Sequence, residues 1–270
     1  MGQKNLWTTL IELLGLILAT NYARSGVLYL CQYAQHGDVV RFFQLFLGCV
    51  IPILVVILYA KYGERRGATS LGFISKGWWK SYLQGAVLGV SLIAGIALLS
   101  FLFGEIGFRG VGKSLSFLPY AATMFLSVIN IREEIIFRGW FLTTPYSKSK
   151  PFHAIIAGSV IFGITHCWNA NVTLLAILNL MLFSVLLSEL FLIYKNIWIV
   201  AALHTMWNFT QGKILGLPVS GTPADNTLLD FKIDPNSLTA GFGLEGNIFT
   251  SIVLAVAIAI ATKKVINLRS

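Results

Sequence analysis

The chain has 270 residues, of which 56% are hydrophobic and only 11% charged, with a formal net charge of +9; its mean hydropathy is +0.75. Soluble domains carry about 25% charged residues, so this composition excludes an ordinary water-soluble enzyme and points to an integral membrane protein. Nor does the positive charge signal nucleic acid, because the basic residues are scattered among apolar runs, where membrane topology accounts for them.

A helix needs about 20 mostly apolar residues to cross a bilayer. The runs that meet or approach this are Leu6–Tyr22, Phe42–Ala60, Tyr82–Phe103, Leu115–Thr144, Phe152–Asn169, Val172–Tyr194, Ile197–Phe209 and Ile248–Ala261. Ile197–Phe209 is short and reads as a partial span. Pro52 and Pro119 are expected to kink their helices. Met1 to Lys4 lead into the first run with no small-residue cleavage site, so no cleaved signal peptide is expected. Cys31, Cys49 and Cys167 have no CxxC spacing, which argues against structural zinc and a disulfide framework. No internal repeat or low-complexity tract divides residues 1–270, so a single domain is expected: an all-α polytopic membrane helix bundle.

The charges test the count. With eight spans and an inner N-terminus, the inner segments hold Lys4, Lys61, Arg65, Arg66, Lys76, Lys80, Lys148, Lys150, Lys195, Lys263, Lys264 and Arg269. The outer side holds only Arg24, Arg41, Arg109, Lys113, Lys213 and Lys232, while its long last loop carries Asp225, Asp230, Asp234 and Glu245. Twelve basic residues against six satisfy the positive-inside rule, with both termini cytoplasmic. Trp78, Trp79, Trp140 and Trp198 fall at predicted inner boundaries, where an aromatic belt is expected.

Against this apolar background, Ile131 to Gly139 carries four charges in nine residues. A charge at the centre of a membrane helix costs roughly 2.5–3.5 kcal/mol on insertion scales, so these residues are expected to pair or to face a polar cavity. Glu134 and Arg138, four apart with the acid first, form a favourable ion pair. Neighbouring residues on a helix diverge by about 100°, which leaves Glu133 in a different environment, free to act as a general base. Arg132 either pairs with Glu133 or snorkels. The structural alternative is two ion pairs that merely lock helices together.

Only four histidines exist, and His166 and His204 both fall in predicted spans. His204 and Asn208, four apart, share one helical face. At about 1.5 Å per residue, Glu133, His166, His204 and Asn208 lie roughly 10–22 Å into the membrane. A carboxylate and an imidazole can hold and deprotonate water; a second imidazole and a carboxamide can donate to an oxyanion. No serine or cysteine is compelling as a nucleophile, since Cys167 diverges from its neighbour His166. Zinc in a His₂Glu site is the alternative, although HExxH is absent and metal would consume the groups that the hydrolysis needs. Metal-free chemistry is preferred. Glu189, Glu12 and Asn179 read as packing or cavity residues, and His153 as solvated.

The sequence at this point resembles the family of CAAX prenyl proteases and bacteriocin-processing enzymes, also called Abi or CPBP. The family's EExxxR, FxxxH and HxxxN patterns stand here as Glu133-Glu134-Ile-Ile-Phe-Arg138, Phe162-Gly-Ile-Thr-His166 and His204-Thr-Met-Trp-Asn208. The resemblance covers roughly Leu115 to Gly212, the catalytic helices; the first three support it only by topology. It implies a glutamate-type intramembrane endopeptidase in which Glu133 and His166 activate water. Glu134 and Arg138 then support the site, and His204 and Asn208 stabilise the oxyanion. Family members described as metal-dependent keep zinc open. Eukaryotic relatives cut the last three residues from prenylated CAAX proteins, whereas bacterial relatives are linked to peptide maturation, bacteriocin immunity or quorum signalling. The compact chain looks more like a bacterial plasma-membrane member acting on a membrane-associated, possibly prenylated peptide or protein. The competing readings are a non-catalytic immunity or scaffold protein that binds a partner, and a proton-coupled transporter. Against the transporter, no inverted repeat appears.

Overall fold

A computed structural model describes residues 5–31, 38–112, 132–234, 237 and 241–268. Two long helices open it, α1 (Leu6–Cys31) and α2 (Asp38–Leu58), with Pro52 inside the second. A π-helical turn, Tyr59–Gly63, ends α2 and leads to α3 (Trp78–Leu102). Strand β1 (Ile106–Val111) follows, then α4 (Arg132–Glu134). The chain continues from α4 through a π-helical turn, Ile135–Trp140, and a 3₁₀ turn, Phe141–Thr143. Short α5 (Pro145–Ser149) precedes α6 (Pro151–Ile164), α7 (Leu174–Tyr194) and α8 (Ile197–Phe209). Strand β2 (Leu229–Ile233) and α9 (Ile248–Asn267) complete the described chain.

The helix starts are chemically marked. Thr173 Oγ1 accepts from the Ala176 amide at 3.1 Å, Asn196 Oδ1 from Trp198 at 3.0 Å, and Asn247 Oδ1 from Phe249 at 2.8 Å. Each satisfies an amide that the first helical turn leaves without an intrahelical partner. Pro145 and Pro151 occupy first-turn positions, where no amide hydrogen is needed.

Among the described residues, five helical segments are long and apolar enough to cross a membrane: Leu6–Leu30, Phe46–Gly63, Trp78–Leu102, Leu174–Tyr194 and Ile248–Asn267. With α6 a shorter apolar helix, the architecture is an all-α polytopic bundle. Helix α1 packs on α2, α3 on α8, and α7 on both α6 and α9. Most of the fourth expected span, including Pro119, lies outside the described residues.

Several boundaries differ from the sequence expectation. Helices α1 and α9 run beyond their apolar stretches, to Cys31 and Asn267. Conversely, α6 stops at Ile164, so His166 sits in the turn after that helix rather than inside a span reaching Asn169. Trp140 is no belt residue: it is fully buried, and its Nε1 donates to Glu64 Oε2 at 2.8 Å. Trp78 and Trp79 are exposed, as a belt requires. The antiparallel pair β1–β2, bulged between Phe108 and Gly110, was not anticipated. Phe231 anchors it by packing on Phe108 and on Phe101 of α3, with ring centroids 5.2 and 6.2 Å away.

Candidate active site

The divergence expected of the two glutamates holds. Glu134 is fully buried, and its carboxylate lies 3.2 Å from Arg138 Nη1. Its Oε1 also accepts from His204 Nδ1 at 2.8 Å, tying α4 to α8. Arg138 is fully buried too; its Nη2 donates to the Ser184 carbonyl at 3.0 Å and to Ser184 Oγ at 2.8 Å, which ties in α7. Its guanidinium lies 5.1 Å from the centroid of the Phe162 ring on α6. A buried arginine is tolerable only when paired and hydrogen-bonded, and here three helices supply the partners.

Glu133 points elsewhere. Its side chain is 29% exposed, and Oε1 lies 3.3 Å from Arg132 Nη2, so Arg132 pairs rather than snorkels. The charged helix continues into a π-helical turn, a form found mostly as single turns and often at functional sites.

His166 Nδ1 lies 2.8 Å from the Phe162 carbonyl. A carbonyl only accepts, so Nδ1 carries the hydrogen, and neutral imidazole then has its lone pair on Nε2. His204 Nδ1 donates to Glu134 in the same way. Phe162 and Phe183 wall the two imidazoles, with centroids 4.9 Å from His166 and 5.2 Å from His204.

Glu133, His166, His204 and Asn208 line one cavity of about 390 Å³. Glu134 and Arg138 are absent from its wall, which makes them supports behind it. Thr20, Asn21 and Arg24 of α1 complete the wall, with Arg132, Asn169 and Ser220. Cys167 stays out of the cavity, its Sγ towards the Gly163 carbonyl. Among the described residues, no three His, Cys, Asp or Glu side chains gather into a group that would hold a metal ion.

Residues 114–210 match the type II CAAX prenyl endopeptidase Rce1-like family. That match bears out the resemblance read from the three motifs, and the long apolar helices make the chain a multi-pass membrane protein. The matched stretch contains all seven motif residues and excludes α1, α2 and α3. No curated protein and no solved structure gives a significant match.

Other polar residues are structural. Glu189 Oε1 accepts from Thr262 Oγ1, joining α7 to α9. Asn179 Nδ2 donates to the carbonyls of Glu245 (2.7 Å) and Asn247 (2.9 Å), and His153 is exposed. Sequence reasoning missed Ser184 and Arg24. Ser184 lies in a mostly apolar helix with no motif to mark it, while Arg24 was visible as a charge at the end of an apolar run but was assigned only to topology.

Proposed function

We propose that this protein is an intramembrane endopeptidase that hydrolyses a peptide bond with water activated by Glu133 and His166. The observation that carries the reading is the convergence of Glu133, His166, His204 and Asn208 on one cavity wall. Glu133 and the Nε2 lone pair of His166 orient the water, and one of them takes its proton as oxygen attacks the scissile carbonyl. The resulting oxyanion accepts hydrogen bonds from the Asn208 carboxamide and from Nε2–H of a doubly protonated His204, whose other nitrogen is held by Glu134. Collapse of the tetrahedral intermediate breaks the C–N bond, and the proton taken from water passes to the leaving amine. The reading requires neither a covalent enzyme intermediate nor a resident metal. The substrate class is a membrane-associated peptide or a prenylated protein, as the family description implies. The charge pattern supports cytoplasmic termini, and the membrane proposed is a bacterial plasma membrane.

The test is cleavage of a panel of farnesylated and unmodified membrane peptides by purified protein, with and without chelator. Wild type is expected to cleave in chelator, and Glu133→Ala to lose at least ~100-fold in kcat while remaining folded. Activity lost only on chelation, and restored by zinc, would replace the water mechanism with a metal one. Absence of cleavage across the panel, with Glu133→Ala retaining its cellular role, would replace the peptidase with a partner-binding protein.

A further inference from the structure

The catalytic cavity holds a charge that the hydrolytic machinery does not use. Three arginines surround the site, Arg24, Arg132 and Arg138, against two carboxylates, Glu133 and Glu134. Arg138 is matched by Glu134 and Arg132 by Glu133. Arg24 remains, on the cavity wall and within electrostatic reach of both Arg132 and Glu133.

Among the described residues, Glu133 is the one carboxylate within electrostatic reach of it. Residues 113–131 contain no Asp or Glu at all, and neither do residues 32–37. Helix α2 passes Arg24 at Gly48, where an added Cβ would lie 3.8 Å from the arginine Cγ. Asp38, the acid at the start of that helix, is ten residues away, roughly 15 Å along the axis. Glu133, the cavity's one carboxylate, already faces Arg132. Arg24 stands roughly 27 Å along α1 from Leu6, at the end of a span where water and a charged ligand can enter. Asn21 lies one turn back on the same wall and adds a second donor.

We propose that Arg24 is the anion-binding residue of the substrate cavity and takes a carboxylate of the substrate chain, with Asn21 beside it. A guanidinium fork matches a carboxylate in two parallel hydrogen bonds, which balances the charge of Arg24. The carboxylate has two sources of identical chemistry, a free C-terminus or an acidic side chain near the scissile bond. Rce1-like residues do the chemistry in this scheme, while α1, outside the matched stretch, sets which peptides are held. The inference rests on the peptidase reading for its meaning but is measured separately by binding.

Three dansylated, S-farnesylated peptides serve as probes: one with a free C-terminal carboxylate, one C-terminally amidated, and one amidated with an aspartate after the modified cysteine. Dissociation constants are measured by fluorescence anisotropy in a Glu133→Gln background, with and without Arg24→Gln or Arg24→Lys, and KM and kcat in the wild-type background. Arg24→Gln is expected to weaken the carboxylate probe about tenfold or more, to leave the amide unchanged, and to raise KM rather than lower kcat. Arg24→Lys is expected to recover part of that loss. If only the aspartate probe responds, the carboxylate is a side chain. Dissociation constants that stay the same for all three probes on Arg24→Gln substitution, with the thermal midpoint unchanged, would overturn the assignment and leave Arg24 an interfacial anchor. A binding difference without cleavage by wild type would sustain the anion site and sink the peptidase.

Discussion

Glu133 and Glu134 are adjacent identical residues with different physical positions, and the difference predicts different phenotypes. Glu134 sits between Arg138 and His204 with no exposure. Glu134→Ala leaves Arg138 as a buried charge without its carboxylate, which costs about 3–5 kcal/mol. The variant is expected to show a clearly lowered thermal midpoint as well as lost turnover, whereas Glu133→Ala keeps its midpoint. Equal midpoints for the two would mean that the Glu134 network does not hold the helices. A second carboxylate, Glu245, lies before α9 and is buried, its Oε2 accepting from Gln211 Nε2. Burial pushes its pKa up to about 7 from an ordinary 4.5, and Gln211's hydrogen bond only partly offsets that. Because the folded pKa is the higher, the folded state binds more protons between those values. Stability from this group is therefore complete below pH ~4.5 and lost as pH rises to about 7, by up to roughly 3 kcal/mol. Glu245→Gln keeps the neutral form throughout. It is expected to flatten that slope and raise the thermal midpoint at pH 8, with little change at pH 5. A parallel pH dependence in the variant would show that Glu245 is not its source.

At the scale of elements, the close approach of α3 to α8 positions His204. An added Cβ at Gly85 would lie 2.0 Å from the Ile199 carbonyl oxygen, and one at Gly89 would lie 2.4 Å from that of Leu203. Two small residues four apart let membrane helices meet backbone to backbone. Leu203 directly precedes His204, so Gly89→Val must push α8 away and move the imidazole from Glu134. Turnover is expected to fall at least ~100-fold, since an angstrom of misplacement is enough for that. Normal kcat in a folded Gly89→Val protein would show that α8 is not set by this contact. Neither glycine was singled out from the sequence, because their significance depends on which helix lies opposite. By contrast, Ile197–Phe209 was legible to the residue, with His204 and Asn208 on one face. The paired motifs on α4, α6 and α8 were legible for the same reason: charges in apolar runs stand out, and spacing assigns them faces. The turn holding His166 was not, since Thr165, Cys167 and Trp168 continue an apolar run where the backbone has already left the helix.

The whole molecule has two unlike ends. The candidate site's cavity draws on Arg24 late in α1, on His166 and Asn169 beyond α6, and on Val219, Ser220 and Thr222 beyond α8. At the opposite ends of these helices a second cavity of about 320 Å³ is lined by Thr69, Ser70, Thr143, Lys148 and Lys195. The lysine-bearing end corresponds to the basic loops, so the positive-inside rule predicts that the catalytic cavity is nearer the non-cytoplasmic face. Orientation thus bears on substrate: an outward cavity favours exported peptides, while an inward one favours cytoplasmic lipidated proteins. Single cysteines at Pro223 and Lys263, in a background lacking native cysteines, separate the two. A membrane-impermeant maleimide on intact cells is expected to label Pro223→Cys directly and Lys263→Cys only after permeabilisation. The reverse pattern would turn the cavity towards the cytoplasm and make the excess of basic residues on the other face an exception to the rule. The same labelling repeated with a farnesylated peptide bound adds a second discriminant. Pro223 directly follows the cavity residue Thr222, so an occupied cavity is expected to slow labelling there and leave Lys263→Cys unaffected.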